Sequence, residues 1–168
     1  IHRYPDGDCI ALREAIAKKN NITSQNVICG AGSDEIIALL CQAFAEENTE
    51  VVYSQHGFLM YAISAKAAGA KAVSAQEINY RADPNNLLQC INDQTRLVFL
   101  ANPNNPTGSF WKRSEVEAFH AQIPDHVILV LDSAYAEYVD DPEYSPGHDL
   151  VQNHNNVVVT RTFSKIYG

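Results

Sequence analysis

Three runs of consecutive apolar residues constrain this chain more than any other feature. They are Arg96-Leu97-Val98-Phe99-Leu100-Ala101, Val127-Ile128-Leu129-Val130-Leu131 and Val157-Val158-Val159-Thr160. A strand with one wet face alternates apolar and polar residues. A strand that is apolar at almost every position must be covered on both faces, as in a mostly parallel sheet flanked by helices. Between the first two runs, residues 113–121 carry a helical pattern, so the chain is expected to fold as a doubly wound α/β domain.

Shorter segments extend the same alternation. Asn26–Cys29, Glu50–Tyr53 and Lys71–Ser74 read as brief strands. From Ser33 to about Glu47, the residues Ile36, Ile37, Leu40, Ala43 and Phe44 share one helical face, with Ser33 and Asp34 as N-cap candidates. Phe58–Ala68 is an alanine-rich helix ended by Gly69, and Pro84–Cys90 is a second short one.

Composition narrows the function. The formal net charge is -8 over 168 residues, which argues against nucleic acid or an anionic membrane surface as main partner. No apolar run approaches the roughly 20 residues that span a bilayer. Cys9, Cys29, Cys41 and Cys90 are widely spaced and the histidines are scattered. Reduced thiols, a cytoplasmic location and no structural metal are therefore expected. The chain runs from Ile1 to Gly168 with no linker-like composition at either end, and a truncated domain is the expectation.

Open α/β sheets bind ligands beyond the carboxyl ends of their strands. Four polar segments fall at such ends here: Gly30–Glu35, Asn102–Gly108, Asp132–Tyr135 and Arg161–Lys165. Gly30-Ala31-Gly32-Ser33-Asp34-Glu35 suits a phosphate at a helix start, but equally a plain tight turn. A dinucleotide fingerprint would need a third glycine, and Glu35 stands there. Asn102-Pro103-Asn104-Asn105-Pro106-Thr107-Gly108 has turn composition, and its place after a buried strand suits a rigid loop that presents amides. Asp132 ends a buried strand, where a carboxylate needs a cap, an ion pair or a cationic ligand group. Lys165 lies among hydroxyls. A lysine that attacks a carbonyl needs burial or a nearby cation to lower its pKa, whereas most lysines are merely solvated.

Taken together, from Arg3-Tyr4-Pro5-Asp6 to Lys165-Ile166-Tyr167-Gly168, these motifs resemble the pyridoxal-phosphate-dependent aminotransferases of fold type I, and in detail their histidinol-phosphate branch. The resemblance implies that the chain is part of the large, cofactor-binding domain. The small C-terminal domain, an arginine for the cofactor phosphate and another for the substrate carboxylate would lie beyond Gly168.

The resemblance also implies roles. Lys165 would bind pyridoxal 5'-phosphate covalently and move the proton at the substrate α-carbon. Asp132 would pair with the pyridinium nitrogen. Asn105 and Tyr135 would donate to the phenolate oxygen, and Phe58 would stack on the ring. The backbone N–H groups of Ser33 and Asp34, with the hydroxyls of Thr162 and Ser164, would hold the phosphate. Tyr4 would reach the phosphate in a partner subunit, implying a homodimer. The substrates would be small amino and keto compounds bearing phosphate or carboxylate, for this branch imidazole-acetol phosphate and glutamate in histidine biosynthesis. Two departures, Ser133 in Asp132-Ser133-Ala134-Tyr135 and Ala31 between Gly30 and Gly32, touch no proposed chemical role. An aromatic-amino-acid aminotransferase or a threonine-phosphate decarboxylase shares the fold. A dinucleotide-dependent oxidoreductase is the reading from another class, and it leaves Asn105, Asp132 and Lys165 unexplained.

Overall fold

Five strands form one sheet in the order β2-β1-β3-β4-β5 in a computed structural model that describes residues 4–168. They are β1 (Glu50–Ser54), β2 (Lys71–Ala75), β3 (Thr95–Ala101), β4 (Ile128–Asp132) and β5 (Val157–Thr160), and every pairing is parallel. The helices are α1 (Ile10–Asn20), α2 (Gly32–Phe44), α3 (Met60–Ala67), α4 (Pro84–Cys90), α5 (Arg113–His120) and α6 (His148–Asn153). None of them is long and apolar enough to cross a membrane.

The continuous apolar runs are resolved by register into two faces. Val52, Val98, Leu129 and Val157 are aligned across neighbouring strands, and all four point into the core shared with α4, α5 and α6. One residue along, Tyr53, Phe99, Val130 and Val158 are aligned and belong to the core shared with α2 and α3. Both faces of the sheet are thus dry, which is why no polar residue interrupts β3 after Arg96. Burial of each Leu, Val or Phe here contributes about 1.5–3 kcal/mol. The α3 sequence is rich in alanine because the helix is wedged against both β1 and α2, where Ala65 is fully buried.

Local chemistry sets several boundaries. Asp83 accepts a hydrogen bond from the Asn86 N–H at 2.9 Å, and Pro84 opens α4, where a missing N–H costs nothing. The expected strand at Asn26–Cys29 is not formed: Ser24–Asn26 is a 3-10 turn, and Val27 is extended but pairs with no strand. An extended, β-prone segment becomes a strand only when a ladder partner satisfies its backbone. The helix expected to reach Glu47 stops at Phe44.

The strand order reverses between β1 and β3, with β2 on one side and β4 and β5 on the other. Adjacent loops leave the sheet in opposite directions at that point and open a crevice above its carboxyl edge.

Candidate functional site

Loops from the carboxyl ends of β1, β3, β4 and β5, with the start of α2, surround one pocket. Ser33, Asp34, Phe58, Asn105, Asp132, Tyr135 and Lys165 all line it, together with Tyr61, Ala101, Pro103 and Ala134. Seven of the residues singled out from sequence therefore share one small volume.

Asp132 is the last residue of β4 and is only 5% exposed. Its Oδ2 accepts from the Tyr61 hydroxyl at 2.6 Å, and its Oδ1 accepts from the Thr160 hydroxyl at 3.0 Å and the Ala134 N–H at 3.3 Å. Burial pushes the carboxyl above its ordinary range, against the pull of those three donors, and the Asp34 carboxylate adds to the rise. A carboxylate has about four acceptor sites, so three donors leave about one free on a residue that lines the pocket. The floor of the site is a buried anion with room for one more donor.

The asparagine loop divides its labour. The side chain of Asn102 accepts from the Trp111 N–H at 2.7 Å and donates to the Trp111 carbonyl at 3.1 Å, closing the loop at its base. Asn104 donates to the His56 carbonyl at 3.2 Å and to the Thr107 hydroxyl at 2.9 Å. With those two spent on rigidity, Asn105 is presented to the pocket, where its Nδ2 donates to the Tyr135 hydroxyl at 3.4 Å. The sequence reading of a stiff amide-presenting loop thus resolves into two structural asparagines and one site asparagine.

At the start of α2, Ser33 and Asp34 lie inside the first turn and do not cap it, contrary to the expectation from sequence. The N-cap is Ala31, with no side-chain cap. Glu35 takes over that duty, its Oε2 accepting from the Ala31 N–H at 2.6 Å. A side chain on Gly30 would meet that same oxygen at 2.8 Å, and Gly32 has φ +83, so both positions need glycine. First-turn N–H groups have no partner within a helix and suit an anion.

Lys165 is exposed, so of the two routes to a lowered pKa set out from sequence, burial is not provided here, and its ammonium lies 5.2 Å from the centroid of the Tyr135 ring. Thr162 and Ser164 are in the same turn but not on the pocket wall; the Thr162 hydroxyl accepts from the Ser164 N–H at 3.1 Å. Tyr4 is fully exposed and outside the pocket, and Arg3, which begins the matching motif, falls outside the described residues. The lysine turn is tied down by Arg161, which pairs with the Glu137 carboxylate. Tyr167 donates to the same carboxylate at 3.1 Å. Burial pushes Glu137 up, but its own backbone N–H, Arg161 and Tyr167 together hold it below the usual range.

Sequence reasoning missed Tyr61. It sits three positions after Phe58 on the face of α3 that meets the sheet, a spacing that marks the face but also fits a plain core aromatic. Thr160 was seen only as a strand end, and Glu137 was not singled out.

A parallel sheet with a polar pocket at its switch point, a buried carboxylate below and a lysine above, defines an α/β protein with a small-molecule site. The chain belongs to the aminotransferase class I and II family, which it matches over residues 1–168. It is 48% identical over its whole length to a histidinol-phosphate aminotransferase of Maricaulis maris, and 51% identical to that of Rhodospirillum centenum. In each case it spans 46% of the relative's length. A crystal structure of histidinol-phosphate aminotransferase from Sinorhizobium meliloti in complex with pyridoxal-5'-phosphate superposes with a TM-score of 0.90 at 30% identity, over 99% of this chain and 45% of that one.

Proposed function

We propose that this chain forms part of the cofactor-binding domain of a pyridoxal 5'-phosphate-dependent aminotransferase that moves an amino group between histidinol phosphate and 2-oxoglutarate. The observation that carries this reading is the convergence of Asp132, Asn105, Tyr135, Lys165 and the start of α2 on one pocket. The chemistry of these donors and acceptors fits a ring with a cationic nitrogen, a phenolate oxygen, a carbonyl carbon and a phosphate. The relatives named histidinol-phosphate aminotransferase support the choice of substrate.

When bound, the cofactor supplies an electron sink for charge that develops at the substrate α-carbon. The residues of the chain do the rest. The remaining acceptor site of Asp132 would hold a proton on the ring nitrogen. Asn105 and Tyr135 would donate to the phenolate oxygen, and Phe58 would pack against the ring. The N–H groups of Ser33 and Asp34, with the hydroxyls of Thr162 and Ser164, would receive the phosphate. Lys165 would be the covalent anchor and then the base that moves the α-proton. No arginine lines the pocket among the described residues, so recognition of the substrate's own anionic groups is assigned to other parts of the protein, including a small second domain. A homodimer is inferred with Tyr4 reaching the neighbouring site. A cytoplasmic location is inferred from four free cysteines.

Single-turnover spectroscopy tests the reading. Histidinol phosphate should convert the lysine-bound form of the cofactor to its amine form, and 2-oxoglutarate should restore it. No conversion with histidinol phosphate, alongside conversion with an aromatic amino acid, would replace the substrate. Tight binding of NAD in place of pyridoxal phosphate would replace the function.

A further inference from the structure

Tyr61 lies beneath the pocket and contributes nothing that packing alone requires. It is fully buried, and its ring stacks on Phe99 with centroids 4.6 Å apart and planes 9° apart. The Phe58 ring meets it edge-on at 5.9 Å. A phenylalanine would fill the same space. A buried hydroxyl costs stability unless it is bonded, and this one donates to Asp132 Oδ2 at 2.6 Å. That length is typical of an O–H donor on a charged carboxylate. The stack and the edge contact fix the ring, so the hydroxyl cannot turn away from Asp132.

We infer that Tyr61 is a positioning residue that keeps Asp132 a weak enough base for the proton between Asp132 and the cofactor to stay on the ring nitrogen. The inference rests on the reading of Asp132 given above and deepens it. Two bases compete for one proton, the pyridine nitrogen and a buried carboxylate. Burial strengthens the carboxylate as a base, and each donor on it weakens it. Thr160 and Ala134 act on Oδ1, whereas Tyr61 acts on Oδ2 and supplies the shortest of the three bonds. Without the Tyr61 hydroxyl, the proton moves from the ring nitrogen to the carboxylate. Both become neutral, the total proton count is unchanged, and the ring is a poorer electron sink.

The test is the 15N resonance of ring-labelled pyridoxal phosphate in the holoprotein, with cofactor affinity measured by titration of the apoprotein. Wild type should give a pyridinium shift. Tyr61→Phe should move the resonance toward neutral pyridine and weaken cofactor binding about tenfold, the scale of one charge-assisted hydrogen bond. Asp132→Asn should move it fully. If Tyr61→Phe leaves shift and affinity at wild-type values while Asp132→Asn moves the shift, Tyr61 is structural and the inference fails. If neither variant moves the shift, the role given to Asp132 fails, and this inference with it. Should Tyr61→Phe not fold, Tyr61→4-aminophenylalanine keeps the shape and a weaker donor and should move the resonance partway; an unmoved resonance again overturns the inference.

Discussion

The Lys165 ammonium lies over the face of Tyr135, 5.2 Å from the ring centroid, and so joins the turn after β5 to the loop after β4. Such a contact contributes about 0.5–1 kcal/mol at an exposed site, enough to bias the side chain toward the pocket without locking it there. The anchoring role proposed for Lys165, covalently bound in one state and free in another, would need that balance. Borohydride reduction followed by mass spectrometry under denaturing conditions should add one cofactor mass to the wild type. Lys165→Ala and Lys165→Arg should add none, because neither has a primary amine at that place.

Asp132 carries an opposition between stability and function. Its carboxyl is pushed up by burial, so the folded state holds a proton over a range in which the unfolded chain does not. Below the ordinary aspartate value of about 3.9, both states are protonated and the stability that goes with a neutral, buried carboxyl is fully present. As pH rises through that value toward the raised folded one, its contribution to stability is lost, and above both the burial of a charge is a constant cost. Asp132→Asn should therefore make the cofactor-free protein more resistant to urea, with a gain that grows from about pH 4 toward neutrality, while cofactor affinity falls. An Asp132→Asn gain that is independent of pH would count against this account.

The Glu137–Arg161 pair holds the lysine turn from below. Glu137→Gln keeps the shape and removes the charge, and it should cost about 2 kcal/mol of local stability, the scale of a hydrogen bond to a charged group. Amide exchange in residues 161–167 should quicken while the β-sheet stays protected. Because Glu137 is held below the usual range, its support is present above the ordinary glutamate value and disappears as pH falls through the lowered one. Exchange in this turn should accordingly quicken in acid in the wild type and less so in the variant.

Gly30→Ala tests the start of α2. The new methyl group would lie 2.8 Å from Glu35 Oε2 and 2.9 Å from Ile36 Cδ1, so Glu35 must release the Ala31 N–H. Loss of that cap should cost about 1 kcal/mol in thermal stability and weaken binding of free phosphate and of cofactor together. Gly32→Ala has open space around it but φ +83, so it should destabilise by about 1–2 kcal/mol through the backbone alone.

Leu129→Ala removes a fully buried side chain at the second position of β4, in the core shared with α4, α5 and α6. Equilibrium denaturation should show a loss of about 2–5 kcal/mol, with the pocket on the opposite side of the sheet edge unchanged in the material that stays folded.

The apolar runs of β3, β4 and β5 determined a buried parallel sheet from sequence alone, because a strand without polar positions has no wet face to offer. The same logic placed Asn105, Asp132, Tyr135 and Lys165 at strand ends, and local pattern carries that information. Three things were decided only by tertiary structure. Val27 is extended but unpaired, since a ladder needs a partner that no local pattern supplies. Capping of α2 passed from Ser33 to Glu35, because the helix begins one residue early at Gly32 and the carboxylate can then reach back to Ala31. The third is Tyr61, which from sequence is one more aromatic on an alanine-rich helix. Its hydroxyl meets Asp132 from 71 positions away in the chain. The sequence determined which residues could carry the chemistry; only folding decided that a buried carboxylate and a buried phenol would share a proton's neighbourhood, because their energies depend on what surrounds them in space.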